Sequence, residues 1–325
     1  MFEELKNVPR LLMEQDLLPV QGDRFQPTGF ADIGAAVYQR HDGIRMLLVE
    51  SAQSVANRLE LTCVDGIGVR QELDGLPYVK AKLTGYTETE TSSLIEAHRI
   101  NSPYIITDTG FQAEFVQRAR YAKGKPLDWK SIASAVFWFD PNSLVHGIFM
   151  ANLGDGRVRL PRALTGFIEA SEVREAASGG VKNNPLDPTG KIRAVGHDEN
   201  VYSNVPYPRT EYTAARVTAY FNLDLALIVG YGLPLPAHDL LIALALFKVR
   251  RFLSGGLRLR TACDFKLDGA MRVSPEYPIP DEGDLLTEVQ GRLKECTEAK
   301  LFASPAVTEI TTKVFLKEDK KATPA

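Results

Sequence analysis

Basic residues gather in one short stretch about three quarters of the way along the chain. Between residues 248 and 260, in KVRRFLSGGLRLR, five cations occur without an acid: Lys248, Arg250, Arg251, Arg258 and Arg260. Such a cluster can hold a polyanion, because each neutralised phosphate releases condensed counterions. Arg258 and Arg260 alternate with leucines, which places both on one face of a predicted strand. The alternative is a solvated surface, which composition by itself favours.

Two further groups of arginine occur in patterns that suit nucleic acid. In GDGRVRLPR, Arg157 and Arg159 alternate with apolar residues, so both guanidinium groups are expected on one strand face. In NVPYPRTEY, Arg209 lies between Tyr207 and Tyr212, which combines a phosphate-binding fork with stacking rings. Taken with the first cluster, these groups make polyanion binding and a solvated surface about equally favoured.

The motifs of common enzyme classes are missing from the sequence. No phosphate-cradling glycine loop, dinucleotide-binding glycine pattern or G-x-S-x-G occurs, and the five histidines and three cysteines lack metal-ligand spacing. We therefore expect no catalytic residue, no metal site and no cofactor. An enzyme becomes less favoured without being excluded.

The composition is that of a soluble globular protein in a reducing compartment. The 325 residues are 44% hydrophobic and 24% charged, with a net charge of −3. Glu3 and Glu4 occupy positions where a secretory signal carries positive charge, and the apolar run 240–247 is too short to span a bilayer. The cysteines form no recognisable pairing scheme. We expect a cytoplasmic protein.

Apolar periodicity predicts an α+β fold. Strands are expected over 44–51, 76–86, 135–151 and 257–267, and helices over 54–61, 93–100, 111–124, 164–173, 213–227 and 237–253. Ser93 and Glu96 match a capping box that would open the second helix. In order, the core elements give β-α-β-β-α-β, the ferredoxin-like plan that RNA-binding domains of the RRM type share. Residues 178–210, rich in Gly, Pro and Asn, predict a long excursion.

Several long strings in the sequence resemble one protein family. They are QSVANRLE, TSSLIEAHRINSPYI, LVHGIFMAN, RLPRALTGFIEASEV, SGGVKNNPLDPTG, AYFNLDLALIVGYGLP and LLIALALFKVRRFLSGGLRLRTACDF. Together they resemble the CRISPR-associated RAMP family that forms the guide-RNA-binding backbone of type I Cascade, in the variety of type I-U (I-G) systems. The resemblance covers residues from about 30 to 268.

This resemblance implies a domain organisation. It implies an RRM-like palm at 30–86, 131–160 and 211–268, with a finger-type insertion at 87–130 and a thumb-type insertion at 161–210. Residues 269–325 remain as a C-terminal extension with a frayed tail.

The resemblance also implies a function and a set of partners. Copies of the protein would polymerise along a CRISPR RNA and present its spacer for pairing with target DNA, together with other Cascade subunits. From 147 to 262 the chain has fourteen basic and ten acidic residues, and from 264 to 298 it has four and nine. These opposite balances offer complementary surfaces for head-to-tail contact between copies.

The residues expected to bind RNA come from the arginine groups and the matched strings. They are Asn57, Arg58, Arg99, Arg157, Arg159, Arg162, Lys182, Arg209, Arg250, Arg251, Arg258 and Arg260, with Tyr202, Tyr207 and Tyr212 as candidates for base stacking. Two alternatives remain open. One is a RAMP-type ribonuclease that uses Asp140, Asp155 or Asp187, and the other is a small-molecule enzyme on a ferredoxin-like core.

Overall fold

The computed structural model describes residues 2–30, 32–151, 153, 156–189, 191 and 204–315 of the chain. Within these ranges the strands are β1 (Arg10–Pro19), β2 (Gly29–Phe30), β3 (Gly34–Ala35), β4 (Val37–Gln39), β5 (Arg45–Glu50), β6 (Val64–Asp65), β7 (Gly68–Val69), β8 (Tyr78–Gly85), β9 (Thr89–Ser92), β10 (Ile148–Phe149), β11 (Arg159–Leu160), β12 (Leu164–Ser171), β13 (Arg174–Lys182), β14 (Val205–Thr213), β15 (Arg216–Asp224), β16 (Arg258–Arg260), β17 (Cys263–Ser274) and β18 (Val307–Val314). The helices are α1 (Ala52–Leu61), α2 (Pro103–Ile106), α3 (Thr109–Arg118), α4 (Trp129–Phe139), α5 (Pro141–His146), α6 (Leu225–Gly230), α7 (Leu235–Ser254) and α8 (Glu282–Glu298), and single 3₁₀ turns cover Glu3–Leu5, Gln71–Leu73 and Arg99–Asn101.

A seven-stranded antiparallel sheet forms the centre of the molecule, in the order β16-β17-β1-β15-β12-β5-β4. Strand β1 lies between β15 and β17, and its Met13 is opposite Phe221 on one side and Val273 on the other. The first twenty residues, to which the sequence analysis assigned no element, thus supply a central strand. The predicted α+β class is confirmed.

Helices α1 and α7 cover one face of this sheet. Helix α1 contacts both β12 and α7, and the Phe252 ring of α7 meets the Phe221 ring of β15 edge-on, with centroids 6.1 Å apart. Helix α7 is apolar around most of its circumference because α8 packs on its other side. In α8 the buried residues Leu285, Val289 and Leu293 repeat every four positions.

Two smaller sheets extend from this core. In one, β8 pairs in parallel with β18 and antiparallel with β9, so the C-terminal strand completes a sheet begun by residue 78. In the other, β13 and β14 form a two-stranded ribbon whose outer half is exposed on both faces. The excursion predicted at 178–210 begins and ends within this ribbon, and its residues 190 and 192–203 lie outside the described residues. Among the described residues, no helix is long and apolar enough to cross a membrane.

Four predicted elements are confirmed to within two residues at each end. The strands expected at 44–51 and 76–86 are β5 and β8, and the helices expected at 54–61 and 237–253 are α1 and α7. The strand expected at 257–267 is divided into β16 and β17, and the helix expected at 111–124 ends at Arg118.

Three predicted elements are wrong in type. The segment 135–151, expected as a strand, lies mostly in α4 and α5, because a short apolar run fits a buried helix as well as a strand. The helix expected at 164–173 is β12, whose alternate residues are buried, and 213–227 contains β15 before a single turn of helix. Strand β8 lies in the smaller sheet, so the central sheet is not built from the four predicted strands.

The predicted capping box does not start a helix. Ser93 Oγ accepts a hydrogen bond from the backbone N–H of Val79 at 3.2 Å, which ties it to β8. The Glu96 carboxylate accepts from the hydroxyls of Thr91 at 2.5 Å and Ser102 at 2.9 Å. Both side chains therefore fix a chain of turns that leads to the 3₁₀ turn at Arg99.

Candidate nucleic-acid interface

Three predicted arginines, Arg99 and the neighbouring Arg159 and Arg162, line a single pocket of about 560 Å³. We call it pocket A and define it by Gln53, Arg99, His146, Phe149, Arg159 and Arg162. Gln53 belongs to the first turn of α1, His146 ends α5, and Phe149 and Arg159 lie on the paired strands β10 and β11. The pocket therefore forms where separate segments of the chain meet beside α1.

Arg99 lies at the floor of pocket A in a strained conformation. Its φ is +52°, in the left-handed region that a non-glycine residue rarely adopts. Its Nε donates to Glu60 Oε1 at 2.7 Å, and its Nη1 donates to the carbonyl oxygen of Gly147 at 2.8 Å. These bonds hold the backbone in place, and strain of this kind is commonly found at functional sites.

Arg162 and Arg159 have different neighbours within the pocket. Arg162 donates from Nη1 to the carbonyl of Ala52 at 3.4 Å and from Nη2 to Gln53 Oε1, at the start of α1. Burial, followed by the charge of Arg99, lowers the pKa of Arg162. The exposed Arg159 guanidinium lies 4.3 Å from the centroid of the Phe149 ring. Among the described residues, no carboxylate forms an ion pair with either Arg159 or Arg162.

A second pocket, of about 280 Å³, lies where the ends of α1 and α7 approach each other. This pocket B is lined by Arg58, Arg70, Arg251 and Arg258. Arg58 is bonded to the fully buried Glu50, Arg70 donates to the carbonyl of Thr62 at 3.1 Å, and Arg251 bridges Glu72 and Glu282. Arg258 differs from them, since its side chain is 73% exposed and lies 3.6 Å from Asp264.

A third pocket, of about 610 Å³, continues from Arg258. This pocket C is lined by Arg24, Arg209 and Arg258 together with Glu211 and Asp264. The Glu211 carboxylate pairs with both Arg24, at 3.4 Å, and Arg209. Pocket C is therefore less positive than pocket A, because each of its arginines has a carboxylate neighbour.

The exposed side of α1 joins these pockets into one path. Gln53 lines pocket A, and its Nε2 donates to Oδ1 of the exposed Asn57 at 2.8 Å, one helical turn further along. Arg58 and Leu61 then line pocket B, and Arg258 belongs to both pocket B and pocket C. The resulting arginine path, from pocket A along α1 to pocket C, includes the predicted Asn57, Arg58, Arg99, Arg159, Arg162, Arg209, Arg251 and Arg258.

Two of the clustered basic residues are structural. Arg260 bonds to Glu50 and donates from Nη1 to the carbonyls of Val49 at 3.2 Å and Gln26 at 3.3 Å, inside the sheet edge. Arg250 donates to the carbonyls of Ile279 and Pro280 and so fixes the segment before α8. The prediction that Arg258 and Arg260 share one solvent face is wrong.

The reason lies in the backbone around β16. Leu257 and Ala262 have φ values of +36° and +58°, and the pairing register shifts between Arg258 and Arg260. At this bulge Arg258 remains exposed, whereas Arg260 is half-buried against Glu50. Lys248, the first cation of the cluster, is fully buried on α7 and does not contribute to the surface.

The aromatic candidates fall into three situations. Tyr212 is 5% exposed and belongs to the core, so its predicted role in base stacking is wrong. Tyr207 is exposed on β14, where its hydroxyl lies above Gly180 of the neighbouring strand. Tyr202 lies outside the described residues. The exposed Lys182 ends β13 on the same ribbon.

Arg157 is exposed, as the alternation in GDGRVRLPR predicted. Its Nη2 donates to the carbonyl of Lys125 at 3.0 Å. Sequence reasoning missed Gln53, His146 and Phe149, although LVHGIFMAN contains the last two and QSVANRLE begins with the first. Nothing in those strings separates residues that line a pocket from residues that fill a core.

The acidic residues proposed for a ribonuclease serve structural roles where they are described. Asp140 is fully buried and caps α5, accepting from the Asn142 N–H at 3.0 Å and the Ser143 hydroxyl at 2.9 Å. Burial raises the pKa of this carboxyl. Asp187 accepts from the Lys191 N–H at 3.0 Å within a turn, and Asp155 lies outside the described residues. In the described part of the chain, no cluster of His, Cys, Asp or Glu could hold a metal ion.

Comparison with known families shows which family the chain belongs to. A family model described as "CRISPR-associated protein GSU0053" matches residues 11–175, just over half of the 325 residues. The chain belongs to this family. The match includes β1, α1 and all of pocket A, and it confirms the resemblance to a CRISPR-associated family that the sequence indicated.

Two solved structures have a distant likeness to the chain. A chain of "CRISPR RNA-guided surveillance complex, pre-nicking" is 13% identical, covers 90% of this chain and 89% of its own, and has a TM-score of 0.42. Csc2 of Thermofilum pendens is 12% identical over 92% of this chain and 80% of its own, with a TM-score of 0.31. No curated protein sequence matches the chain. The family model therefore decides the family.

Proposed function

We propose that the protein is the RNA-binding backbone subunit of a CRISPR type I-U/I-G Cascade surveillance complex. Copies polymerise along the CRISPR RNA and present its spacer for pairing with target DNA in antiviral defence. The protein acts in the cytoplasm as a structural subunit and not as an enzyme. The observation that carries this proposal is the arginine path, which runs beside α1 in a chain of a CRISPR-associated family.

The central sheet supports an RRM-type palm built from other strands than those expected. Strands β17, β1, β15 and β12 are neighbours in that order and are antiparallel, which is the order 4-1-3-2 of a ferredoxin-like fold. Helix α7 connects β15 to β17 and packs beside α1 on one face. On this assignment the first palm strand is β1, and the chain between β1 and β12 forms the finger side.

The open face of the sheet is a poorer candidate for RNA than the arginine path. There Asp16 pairs with Arg216 at 2.9 Å and with Arg272 at 2.7 Å, and Glu14 also pairs with Arg272. The hydrogen bonds from Arg272 and Arg216 lower the pKa of Asp16, so its carboxylate stays charged. Carboxylates repel phosphates, whereas two of the arginines of pocket A, Arg159 and Arg162, pair with no carboxylate among the described residues.

The ribbon of β13 and β14 is the candidate thumb. It is inserted between palm strands β12 and β15, and its outer part exposes Val181, Val205 and Tyr207 together with Lys182. Apolar and aromatic side chains on an exposed ribbon can wedge between bases, and the lysine can contact a phosphate. We propose that this ribbon separates the guide into segments.

Arg159→Ala tests the proposal with little risk to the fold, because Arg159 is exposed and contacts a ring rather than a buried carboxylate. The variant should bind guide RNA more weakly and reduce the slope of log affinity against log salt by roughly 0.7, the value for one phosphate of a single strand. Affinity should be measured by fluorescence anisotropy over a range of salt concentrations.

A matched control is Arg118→Ala, since the Arg118 guanidinium also lies over a ring, 3.6 Å from the centroid of Trp138, but outside the path. The control should leave affinity and slope unchanged. Wild-type protein that binds no RNA when expressed with a CRISPR array would refute the function. Equal behaviour of the two variants would refute the path.

A further inference from the structure

Pocket A contains an aromatic ring that the hydrophobic core does not account for. Phe149 is 43% exposed, whereas the preceding Ile148 is 5% exposed. In the sheet of β10 and β11, Ile148 is opposite Leu160, and Phe149 is opposite Arg159. Residues that are opposite each other on paired strands have their side chains on the same face. One face of this small sheet is therefore buried, and the other presents Phe149 and Arg159 together.

Two arginines of pocket A keep hydrogen-bond donors for an anion. The Arg159 guanidinium lies 4.3 Å from the centroid of the Phe149 ring, and it forms no hydrogen bond or ion pair with a described residue. Arg162 donates to the carbonyl of Ala52 and to Gln53 Oε1. Because a guanidinium group has five N–H donors, both arginines have donors left.

This combination of groups defines the chemistry of the ligand. A flat ring is needed to cover the exposed part of Phe149, and an anion is needed to accept from the arginines. A nucleotide has both, since any base can stack on an aromatic ring and a phosphate has several charged acceptor oxygens. The volume of about 560 Å³ lies within the range of about 300–1,000 Å³ that is usual for small-molecule sites. A phosphate by itself would leave Phe149 uncovered.

We propose that pocket A binds one nucleotide unit, with its base stacked on Phe149 and its phosphate bound by Arg159 and Arg162. The site for a base and a phosphate follows from the geometry, and the assignment of the nucleotide to guide RNA rests on the proposed function. Stacking releases no counterions, so it adds a contact that depends little on salt to the phosphate contacts of the arginine path.

The first test is Phe149→Leu, which removes the ring and keeps an apolar side chain. Guide RNA should bind roughly tenfold more weakly, a loss within the range for one stacked base. The slope of log affinity against log salt should keep its wild-type value, because no phosphate contact is lost. This result would separate Phe149 from Arg159, whose removal reduces the slope. Fluorescence anisotropy over a range of salt concentrations measures both quantities.

Two further variants are controls for this test. Phe149→Tyr keeps a ring and should bind as wild type. Phe315→Leu is matched to the test variant, because the exposed Phe315 ring also has a cation over it, with Lys313 Nζ 5.4 Å from the centroid, but lies outside the arginine path. It should leave affinity and slope unchanged. Wild-type affinity in Phe149→Leu, or an equal loss in Phe149→Leu and Phe149→Tyr, would refute stacking.

Guide RNAs with a single abasic nucleotide locate the stacked base. At a position bound in pocket A, the abasic nucleotide should weaken binding to the wild type, and Phe149→Leu should add no further loss. At other positions the two losses should add, because the changed groups do not contact each other. Losses that add at every position would contradict the proposal.

Phe149→Trp separates this inference from the proposed function. A base stacked on the indole at position 149 should quench its fluorescence, measured as the difference from the wild type with Trp129 and Trp138. Guide RNA should quench at a lower nucleotide concentration than adenosine monophosphate, because the rest of the arginine path also holds the RNA.

The other outcomes of this titration are distinguishable. Quenching by adenosine monophosphate but not by bound guide RNA would keep the nucleotide site and refute its assignment to RNA. If guide RNA binds and neither ligand quenches, the proposed function stands and this inference fails. If guide RNA does not bind, the proposed function fails, and quenching by adenosine monophosphate decides whether the nucleotide site stands.

Discussion

At the scale of single residues, the arginines fall into two groups. Some pair with a carboxylate that the fold places beside them, and others do not. Arg260 and Arg58 share the fully buried Glu50, whereas Arg159 and Arg162 pair with no described carboxylate. Neutralised arginines hold the structure together, and the unneutralised ones leave a positive potential for an anion. Similar sequence patterns therefore produce residues with opposite roles.

Separate alanine variants of Arg258 and Arg260 show this division. Arg258→Ala should fold with unchanged stability and weaken RNA binding, because its side chain is mostly exposed. Arg260→Ala should lower the free energy of unfolding by about 1–3 kcal/mol, since the buried Glu50 loses one of its two arginine partners. Urea titration and RNA affinity measure the two effects. Equal stability of the two variants would contradict the division.

The three arginines that line pocket A were predicted from the sequence as RNA-binding residues. The pocket that they form was not predicted. Arg99, Arg159 and Arg162 belong to matched strings, but only the fold brings those strings together. Arg250 and Arg260 were predicted as RNA ligands, but Arg250 donates to the Pro280 carbonyl and Arg260 pairs with Glu50. Both partners are distant in sequence, so the local pattern does not indicate them. Whether an arginine is available to bind RNA depends on carboxylates and carbonyls that are distant in sequence. A local sequence pattern does not reveal these partners.

At the scale of elements, the type of an element was predicted wrongly where the sequence pattern fits both a helix and a strand. Residues 164–171 alternate between buried and half-buried, a strand pattern, yet their composition also permits a helix. In 129–139 the apolar side chains are dense enough to hide the helical period. Long elements with a uniform environment, such as α7, were predicted well because burial on all sides leaves no competing pattern.

Gly166 in β12 fits only without a side chain. A Cβ there would lie 2.7 Å from the Phe221 ring and 3.0 Å from the carbonyl of Tyr220. Gly166→Ala should therefore lower the free energy of unfolding by about 1–3 kcal/mol, because Phe221 is held against Phe252 and cannot retreat freely. Thermal or urea unfolding provides the measurement.

The control for this change is Gly291→Ala in the exposed middle of α8, where a Cβ meets nothing within 4 Å. That variant should gain up to about 1 kcal/mol, the difference in helix propensity between glycine and alanine. Loss of stability at Gly291 would contradict its open position in α8, and no loss at Gly166 would contradict the close packing of β12 against Phe221.

At the scale of the whole molecule, some of the acidic residues expected to contact a second copy instead form ion pairs within the chain. Of the acids of α8, Glu282 pairs with Arg251, and Glu288 and Glu295 pair with Arg292. The complementary surface available to a second copy is therefore smaller than the counts along the sequence indicate. Contact between copies should depend on bound RNA more than on attraction between free subunits.

The mass of the assembly should accordingly grow in steps with the length of the guide RNA. Open head-to-tail association adds one copy for each further segment of RNA, whereas a closed dimer does not grow. Mass photometry on guides of graded length gives the answer, with RNA-free protein as the reference. A constant mass on all guides would exclude a polymerising backbone.

The central position of β1 has a consequence for how the protein is made. Residues 10–19 leave the ribosome early, but their partners lie at 216–224 and 263–274. At about 5–20 residues per second, the nascent chain carries this strand unpaired for roughly 10–40 s, with Leu11 and Met13 uncovered. The central sheet cannot close in stages from the N-terminus. Nascent chains that stop before residue 263 should therefore bind chaperones and resist folding, however well their helices form.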